Sequence, residues 1–233
     1  MKKPAKPAKP AKPAARRTPV LLVDDHPITR QGLATLIAHE EDLEVCGEVA
    51  DAASAQEAVG RLRPGLVLVD LSLPGRSGLE LIKDLNVTHP GLPTLVLSMH
   101  DEALYAERAL RAGARGYLMK SAGGRAVVEA IRRVLGGQIS VSPAVSERIM
   151  ESLAGARPAA PDARLASLSD REFEIFQLIG QGLGTRQIAG RLNLSIKTIE
   201  AHRAHLKDKL GVPDAPALVH EAVRWVQSQQ QVG

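Results

Sequence analysis

Three carboxylates, a hydroxyl and an ammonium stand at the ends of four short apolar runs in this chain. PVLLV leads into Asp24 and Asp25, LVLV into Asp70, TLVL into Ser98, and GYLM into Lys120. Runs of this length are too short for helices and suit buried parallel strands. Open α/β sheets bind ligands just outside the carboxyl ends of their strands. The five groups are therefore expected to share one sheet edge. Three converging carboxylates repel one another unless a cation joins them. Mg²⁺ is the natural one, a hard ion that takes a few carboxylates, water and phosphate. A metal-neutralised aspartate can attack a phosphoryl donor and form an acyl phosphate. The equatorial oxygens of the transferring group then need counter-charge and donors. Lys120 would supply the charge, Ser98 a hydroxyl, and the backbone amides after Asp70 the rest. The plain alternative is a set of unrelated strand-end polar residues, which does not explain five of them at matching ends.

The elements that must position these groups alternate regularly. Strands are expected near 19–23, 44–49, 66–69, 94–97 and 116–119, and helices near 27–39, 54–63, 77–87, 101–112 and 123–135. Pro27 suits a first helical turn, Ser54 and Ser77 read as caps, and Asp101 opens the fourth helix. Gly113 closes that helix. Such βα alternation implies a parallel sheet with helices on both faces. Ser142-Pro143 starts a further helix through about Leu153.

Composition sets bounds. The chain has 233 residues, 44% of them apolar and only 2% aromatic, so its cores are aliphatic. No apolar stretch approaches the roughly 18 residues of a membrane span. The N-terminus is basic without an apolar region behind it, so no secretory signal is expected and the chain reads as cytoplasmic. The single cysteine, Cys46, excludes an internal disulfide and a thiolate-built metal site, and reads as a small core residue. Charge is unevenly spread. Residues 18–152 hold 13 basic and 18 acidic side chains, a net of −5, whereas residues 186–209 hold 6 and 2, a net of +4. Residues 1–17, a Pro-Ala-Lys repeat, carry seven Lys or Arg and no acid. That tail is expected to be disordered, either a solubilising segment or a nonspecific tether to an anionic surface. A linker over 154–164, AGARPAAPDAR, is expected to be flexible.

The basic back half has its own pattern. Ser169 followed by Glu172 is a capping box before an apolar-periodic run over 170–181. Thr185 reads as the cap of a short helix, 186–192. Asn193-Leu194 makes a turn, and Ser195 caps a longer helix, 196–210. Short helix, tight turn and longer polar helix describe a helix-turn-helix. On the longer helix Ile199, Leu206 and Leu210 fall at core spacing, with His202 or Ala201. Lys197, Thr198, Glu200, Arg203 and Lys207 lie on the other face, suited to phosphates and base edges of a major groove. His202 and His205 have metal-like spacing but no evident partner, and His202 reads as a packed residue. A last helix over 215–227 carries Trp225, either core or part of a dimer contact.

These motifs are identified with two known domains. Asp24-Asp25, the segment Asp70-Leu-Ser-Leu-Pro74 with Gly78, then Ser98 and Lys120 resemble the receiver domain of two-component response regulators. LSDREFEIFQLIGQGLGTRQIAGRLNLSIKTIEAHRAHLKDKLGV is similar to the LuxR-type helix-turn-helix. It matches at Leu168, Arg171, Glu172, Gly182, Ile188, Ala189, Leu192, Ser195, Thr198, Ile199, His202, Lys209, Leu210 and Gly211. Residues 19 to about 228 together resemble a NarL/FixJ-family regulator. The resemblance implies an α/β plus all-α fold: a doubly wound, flavodoxin-like five-stranded parallel sheet, order 2-1-3-4-5, then a four-helix DNA-binding domain. The boundaries it implies are a tail over 1–17, a receiver over 18–136, a helix and linker over 137–164, and the helix-turn-helix domain over 165–230.

By the same resemblance Asp70 is the phosphoacceptor, written to by a sensor histidine kinase. Mg²⁺ would be held by Asp25, Asp70 and the Ser72 carbonyl, with Asp24 acting through water. Ser98 is the switch hydroxyl and Tyr117 the coupled aromatic. Thr185, Lys197, Thr198, Glu200, Arg203 and Lys207 would meet double-stranded promoter DNA. Phosphorylation would expose the helix-turn-helix and favour a homodimer, with RNA polymerase as a further partner. The protein would be a regulator rather than an enzyme. Three positions depart from the pattern. Ser121 follows Lys120 where many receivers have proline, and a cis peptide there would cost about 3 kcal/mol. Glu200 stands where many relatives have lysine, and Gly184 where serine is usual. Two other readings fit the residues less well. A haloacid-dehalogenase-type phosphatase needs an acid two residues after the nucleophile, where this chain has Ser72. A phosphorylation-independent DNA-binding regulator working through protein partners has no use for the acidic trio and Lys120.

Overall fold

The computed structural model describes residues 17–153 and 163–230. The tail over 1–16 and most of the expected linker, 154–162, lie outside the described residues. Five strands, β1 (Thr18–Val23), β2 (Leu43–Val49), β3 (Leu66–Val69), β4 (Thr94–Ser98) and β5 (Gly116–Met119), form one parallel sheet in the order β2-β1-β3-β4-β5. Between and after them run α1 (Pro27–Ala38), α2 (Ala52–Leu62), α3 (Gly78–Thr88), α4 (Glu102–Ala112) and α5 (Gly124–Leu135). The fold class and strand order are those expected.

The strand sequences explain the layering. Side chains alternate across a sheet, so Val20 and Leu22 join one apolar cluster with Leu33, Ile37, Val127 and Ile131 of α1 and α5. Leu21 and Val23 join another with residues of α2, α3 and α4. Both faces are covered, which is why the runs read as continuous apolar segments. Between β1 and β2 the register slips: Val20 pairs with Val45 but Leu21 with Gly47. Cys46 occupies that irregularity and is half-buried rather than a fully enclosed core residue. Burial pushes its thiol pKa up.

Most boundaries match the expected ones within two residues. Ser77 caps α3 in a capping box with Glu80, and Asp101 caps α4. Ser54 does not cap α2. Asp51 does, its carboxylate accepting from the Ser54 amide at 2.9 Å, because the helix starts two residues early. Gly113 ends α4 at φ 112°, where a side chain would be strained. A sixth helix, α6 (Pro143–Leu153), follows.

The second domain comprises a short α7 (Ala163–Ala166), which straddles the end of the expected linker, then α8 (Asp170–Gly180), α9 (Thr185–Leu192), α10 (Ile196–Leu210) and α11 (Ala215–Gln230). Ser169 and Glu172 form the expected capping box on α8, and Ser195 caps α10. Thr185 is not the cap of α9 but its first residue, and Gly184 precedes it without a side chain to offer. Asn193 makes the turn at φ 51°. Ile199, Leu206 and Leu210 are buried, His202 is half-buried and Ala201 exposed. Trp225 is half-buried, its ring against Phe173 and Phe176 at 5.4 and 5.8 Å.

Candidate functional site

The carboxyl edge of the sheet gathers the five expected groups. β1 leads into Asp24 and β3 into Asp70, both buried. Lys120 follows β5 and reaches both, its Nζ 2.7 Å from Asp24 Oδ2 and 2.6 Å from Asp70 Oδ2. Ligand atoms of Asp24, Asp25, His26 and Asp70 all lie within 4.8 Å of one another, an arrangement that can hold a metal ion. The donor set favours a hard divalent cation, since three of the four groups are carboxylates. Asp25 Oδ1 is buried without a hydrogen bond of acceptable geometry, although His26 Nδ1 lies 2.6 Å away. A buried carboxylate oxygen in that condition is what a cation would satisfy.

Electrostatics follow from enclosure. Burial raises the Asp70 carboxyl above its usual pKa, Lys120 and the Ser72 amide opposing this and Asp24 adding to it. Burial works against the Lys120 ammonium too, but Asp70 and Asp24 outweigh it and hold its pKa above the usual value. The loop after Asp70 is pinned by a close approach. The Gly78 amide donates to Leu71 O at 2.9 Å, and a Cβ on Gly78 would meet Asp70 O at 2.1 Å. Only glycine fits there. The Ser72 amide points back to Asp70 Oδ1 at 3.3 Å. The Lys120–Ser121 peptide is trans, like every other among the described residues.

Ser98 is fully buried at the end of β4, and its Oγ accepts from the His100 amide at 3.3 Å. Tyr117 is buried, and its hydroxyl donates to His100 O at 2.8 Å. His100 went unnoticed in the sequence because an isolated histidine after a strand carries no pattern. Its Nε2 lies 3.0 Å from Ser72 Oγ and its ring stacks on Tyr105 at 4.6 Å. Burial, with help from Arg191 and Lys120, lowers its pKa to about 4, so the ring is neutral near pH 7.

From Tyr105 contacts pass to the second domain. The Tyr105 hydroxyl donates to Gln177 of α8, and its ring lies 5.5 Å from Phe173. Lys83 and Arg108 both reach Asp170, at 2.7 and 3.3 Å, and the Arg108 guanidinium sits 4.1 Å over Phe173. Arg171 donates to Gly75 O at 2.6 Å and pairs with Glu174 at 2.7 Å. Arg171, Glu174 and Gln177 recur every three residues and read as a solvent face, yet all three are buried. That polar stripe was the missed signal of a docking surface.

The helix-turn-helix presents the expected residues differently. On α10 Lys197 and Glu200 are exposed, whereas Thr198, Arg203 and Lys207 are half-buried, as is Thr185 on α9. Thr198 Oγ1 lies 2.7 Å from Ser195 Oγ. Arg203 lines a shallow groove with Pro216, Val219 and Val223, and burial lowers its pKa. The docking hydrogen bonds and ion pairs go to α8, to Leu165 of α7 and to Leu168 between them, and leave Lys197 and Glu200 of α10 exposed.

Comparison with known proteins covers both domains. Residues 20–132 match the response regulator receiver domain, and residues 166–222 match bacterial regulatory proteins of the luxR family. The oxygen regulatory protein NreC of Staphylococcus carnosus is 32% identical over 209 residues, spanning 88% of this chain and 96% of that protein. The chain is a response regulator of the NarL/FixJ family. This regulator also resembles solved structures of RcsB. One, from Salmonella typhimurium, has 27% identity and a TM-score of 0.62, covering 90% of this chain and 98% of that one. Another is RcsB from Salmonella enterica serovar Typhimurium bound to promoter rprA with the phosphomimetic BeF₃⁻, at 27% identity and TM-score 0.59, covering 88% and 98%. The regulator thus joins a receiver to a LuxR-type DNA-binding domain. Among the described residues no helix is long and apolar enough to cross a membrane.

Proposed function

We propose that this regulator is switched by phosphorylation of Asp70 by a sensor histidine kinase in the cytoplasm and acts on double-stranded promoter DNA. The observation that carries the reading is the buried Asp70 carboxylate, 2.6 Å from Lys120 and grouped with Asp24 and Asp25. Asp25, Asp70 and the Ser72 carbonyl would hold Mg²⁺, with Asp24 acting through water; the ion supplies counter-charge for three carboxylates and a phosphoryl group. An Asp70 oxygen attacks phosphorus, a P–O bond forms, and the bond to the donor breaks with the donor taking up a proton. Lys120 and the Ser98 hydroxyl stabilise the phosphoryl oxygens. Tyr117, tied to the segment after Ser98, follows the change.

The output differs from simple unmasking. Lys197 and Glu200 are already exposed while the domains are docked. Phosphorylation is therefore read as loosening the grip of α3 and α4 on α8, freeing two helix-turn-helix domains to pair on half-sites as a homodimer. The phosphomimetic DNA complex of RcsB supports this coupling by analogy. Lys197, Thr198, Glu200, Arg203 and Lys207 of α10, with Thr185, are the proposed DNA contacts, and RNA polymerase a proposed partner of the bound dimer. Incubation with acetyl phosphate and Mg²⁺ should give one acid-stable, hydroxylamine-sensitive label per chain, absent from Asp70→Asn. The exposed face of α10 gives one reason to keep a second reading, binding of DNA independent of phosphate. Equal promoter affinity with and without acetyl phosphate would favour it.

A further inference from the structure

Between the two domains lies a half-open cavity of about 300 Å³ that shares no residue with the acidic edge. Residues of α3, α4 and α6 line it from one side, and residues of α7, α8 and α11 from the other. Its charge is unbalanced. Lys83, Arg108, Arg111 and Arg148 face only two carboxylates, Glu107 and Asp170. Both carboxylates are already paired, Asp170 with Lys83 and Arg108, and Glu107 with Arg111 at 2.5 Å. Two positive charges are left over. Arg108 is committed to docking, since it bonds Leu165 O, Leu168 O and Asp170 and lies over Phe173. Arg111 and Arg148 are not. A guanidinium carries five N–H donors, and each of these two makes one hydrogen bond among the described residues, Arg111 to Glu107 and Arg148 to Ala103 O at 2.8 Å. Leu104, Leu165 and Trp225 add an apolar wall.

We propose that this cavity is a binding site for a small aromatic carboxylate, its ring against the apolar wall and its charge met by Arg111 and Arg148. Guanidinium groups match carboxylates in a planar fork. Cavities of this size at domain interfaces, with an apolar wall and a few convergent polar groups, are typical small-molecule sites. A bare inorganic anion would leave the wall unused, and a neutral ring would leave the two guanidinium groups unmatched. Because both domains form the site, the ligand binds the docked molecule and not the separated domains. It therefore favours docking by its differential affinity for that state. The consequence, weaker DNA binding by the loaded chain, rests on the proposed function; the binding site itself does not.

Trp225 is the only tryptophan of the chain, so its fluorescence reports on the cavity directly. The full, unphosphorylated chain would be titrated with benzoate, and with benzyl alcohol and acetate, which lack the charge and the ring respectively. Benzoate should shift the emission saturably, with a Kd of about a millimolar or tighter for a ligand of so few atoms, and calorimetry should return the same constant. Benzyl alcohol and acetate should each bind roughly tenfold more weakly or worse. Arg111→Ala and Arg148→Ala should each weaken benzoate on the order of tenfold, as expected for the loss of one charged hydrogen-bond partner. Both side chains are exposed, so the fold should survive either change. Bound benzoate should slow amide exchange in α4 and α8 together. The proposal is overturned if benzoate gives no saturable response by either method, if acetate binds as tightly, if both arginine variants bind like the parent, or if protection is confined to one domain. None of these readouts depends on phosphorylation of Asp70, so the two proposals fail separately.

Discussion

Lys120 is the residue on which the acidic edge depends. Its ammonium lies between two carboxylates that are each about 3% exposed. Removing one partner from a buried charge cluster typically costs about 3–5 kcal/mol. Lys120→Met should therefore lower the urea midpoint strongly without divalent cation, and Mg²⁺ should restore more stability to the variant than to the parent. Equal midpoints without Mg²⁺ would contradict the role given to Lys120. The acidic pair, Asp70, Ser98 and Lys120 were legible in the sequence because each ends a strand, and the sheet brings strand ends together whatever the loops do. His100 was not, since its contacts are with Ser72 and Tyr105, neither of which forms a pattern with it.

At the scale of elements, the loop after β3 is shaped by the start of α3. The Cβ of Gly78→Ala would collide with Asp70 O, forcing the loop to move. Misplacement of a reacting group by an ångström can cost on the order of a hundredfold in rate. Labelling of Gly78→Ala should fall on that order while its far-ultraviolet circular dichroism stays unchanged. A second prediction concerns α8 and α10, joined by Lys209 and Glu172 at 2.6 Å. Burial raises the Glu172 carboxyl, but bonds from Lys209 and Ser169 outweigh it and leave the pKa below the usual value. The folded value is depressed, so the stability is present above the unfolded pKa of about 4.3 and is lost as pH falls through the folded one. Urea midpoints should drop below about pH 4, and Glu172→Gln should flatten that slope. Helix starts were read well where the cap was a serine with a partner three residues on, as at Ser77 and Ser169. Ser54 and Thr185 misled because each lies just inside a helix whose cap comes earlier, at Asp51 and Gly184.

For the whole molecule, the docked state sets a basic reading domain against an acidic receiver. The receiver segment 18–152 carries a net of −5 and residues 186–209 a net of +4. Holding them together must weaken attraction to a polyanion, more so at low salt. Asp170→Ala removes the carboxylate shared by Lys83 and Arg108. It should raise the DNA affinity of the unphosphorylated chain several-fold and increase amide exchange along α4, with the gain shrinking as salt increases. The two domains were legible from composition and motif alone. Their docking was not, because an interface of polar residues such as Arg171, Glu174 and Gln177 has the same periodicity as a wet helix face.

The central claim, that chemistry at Asp70 governs the distant reading helix, meets its most direct test in one titration. The full chain and Asp70→Asn would each be measured against a promoter duplex recovered by genome-wide mapping of bound DNA, with and without acetyl phosphate and Mg²⁺. The account expects the donor to tighten binding of the parent about tenfold or more, within the usual range of allosteric coupling, and to leave Asp70→Asn unmoved. Equal affinity of the parent in both conditions, with label shown to be on Asp70, would contradict it.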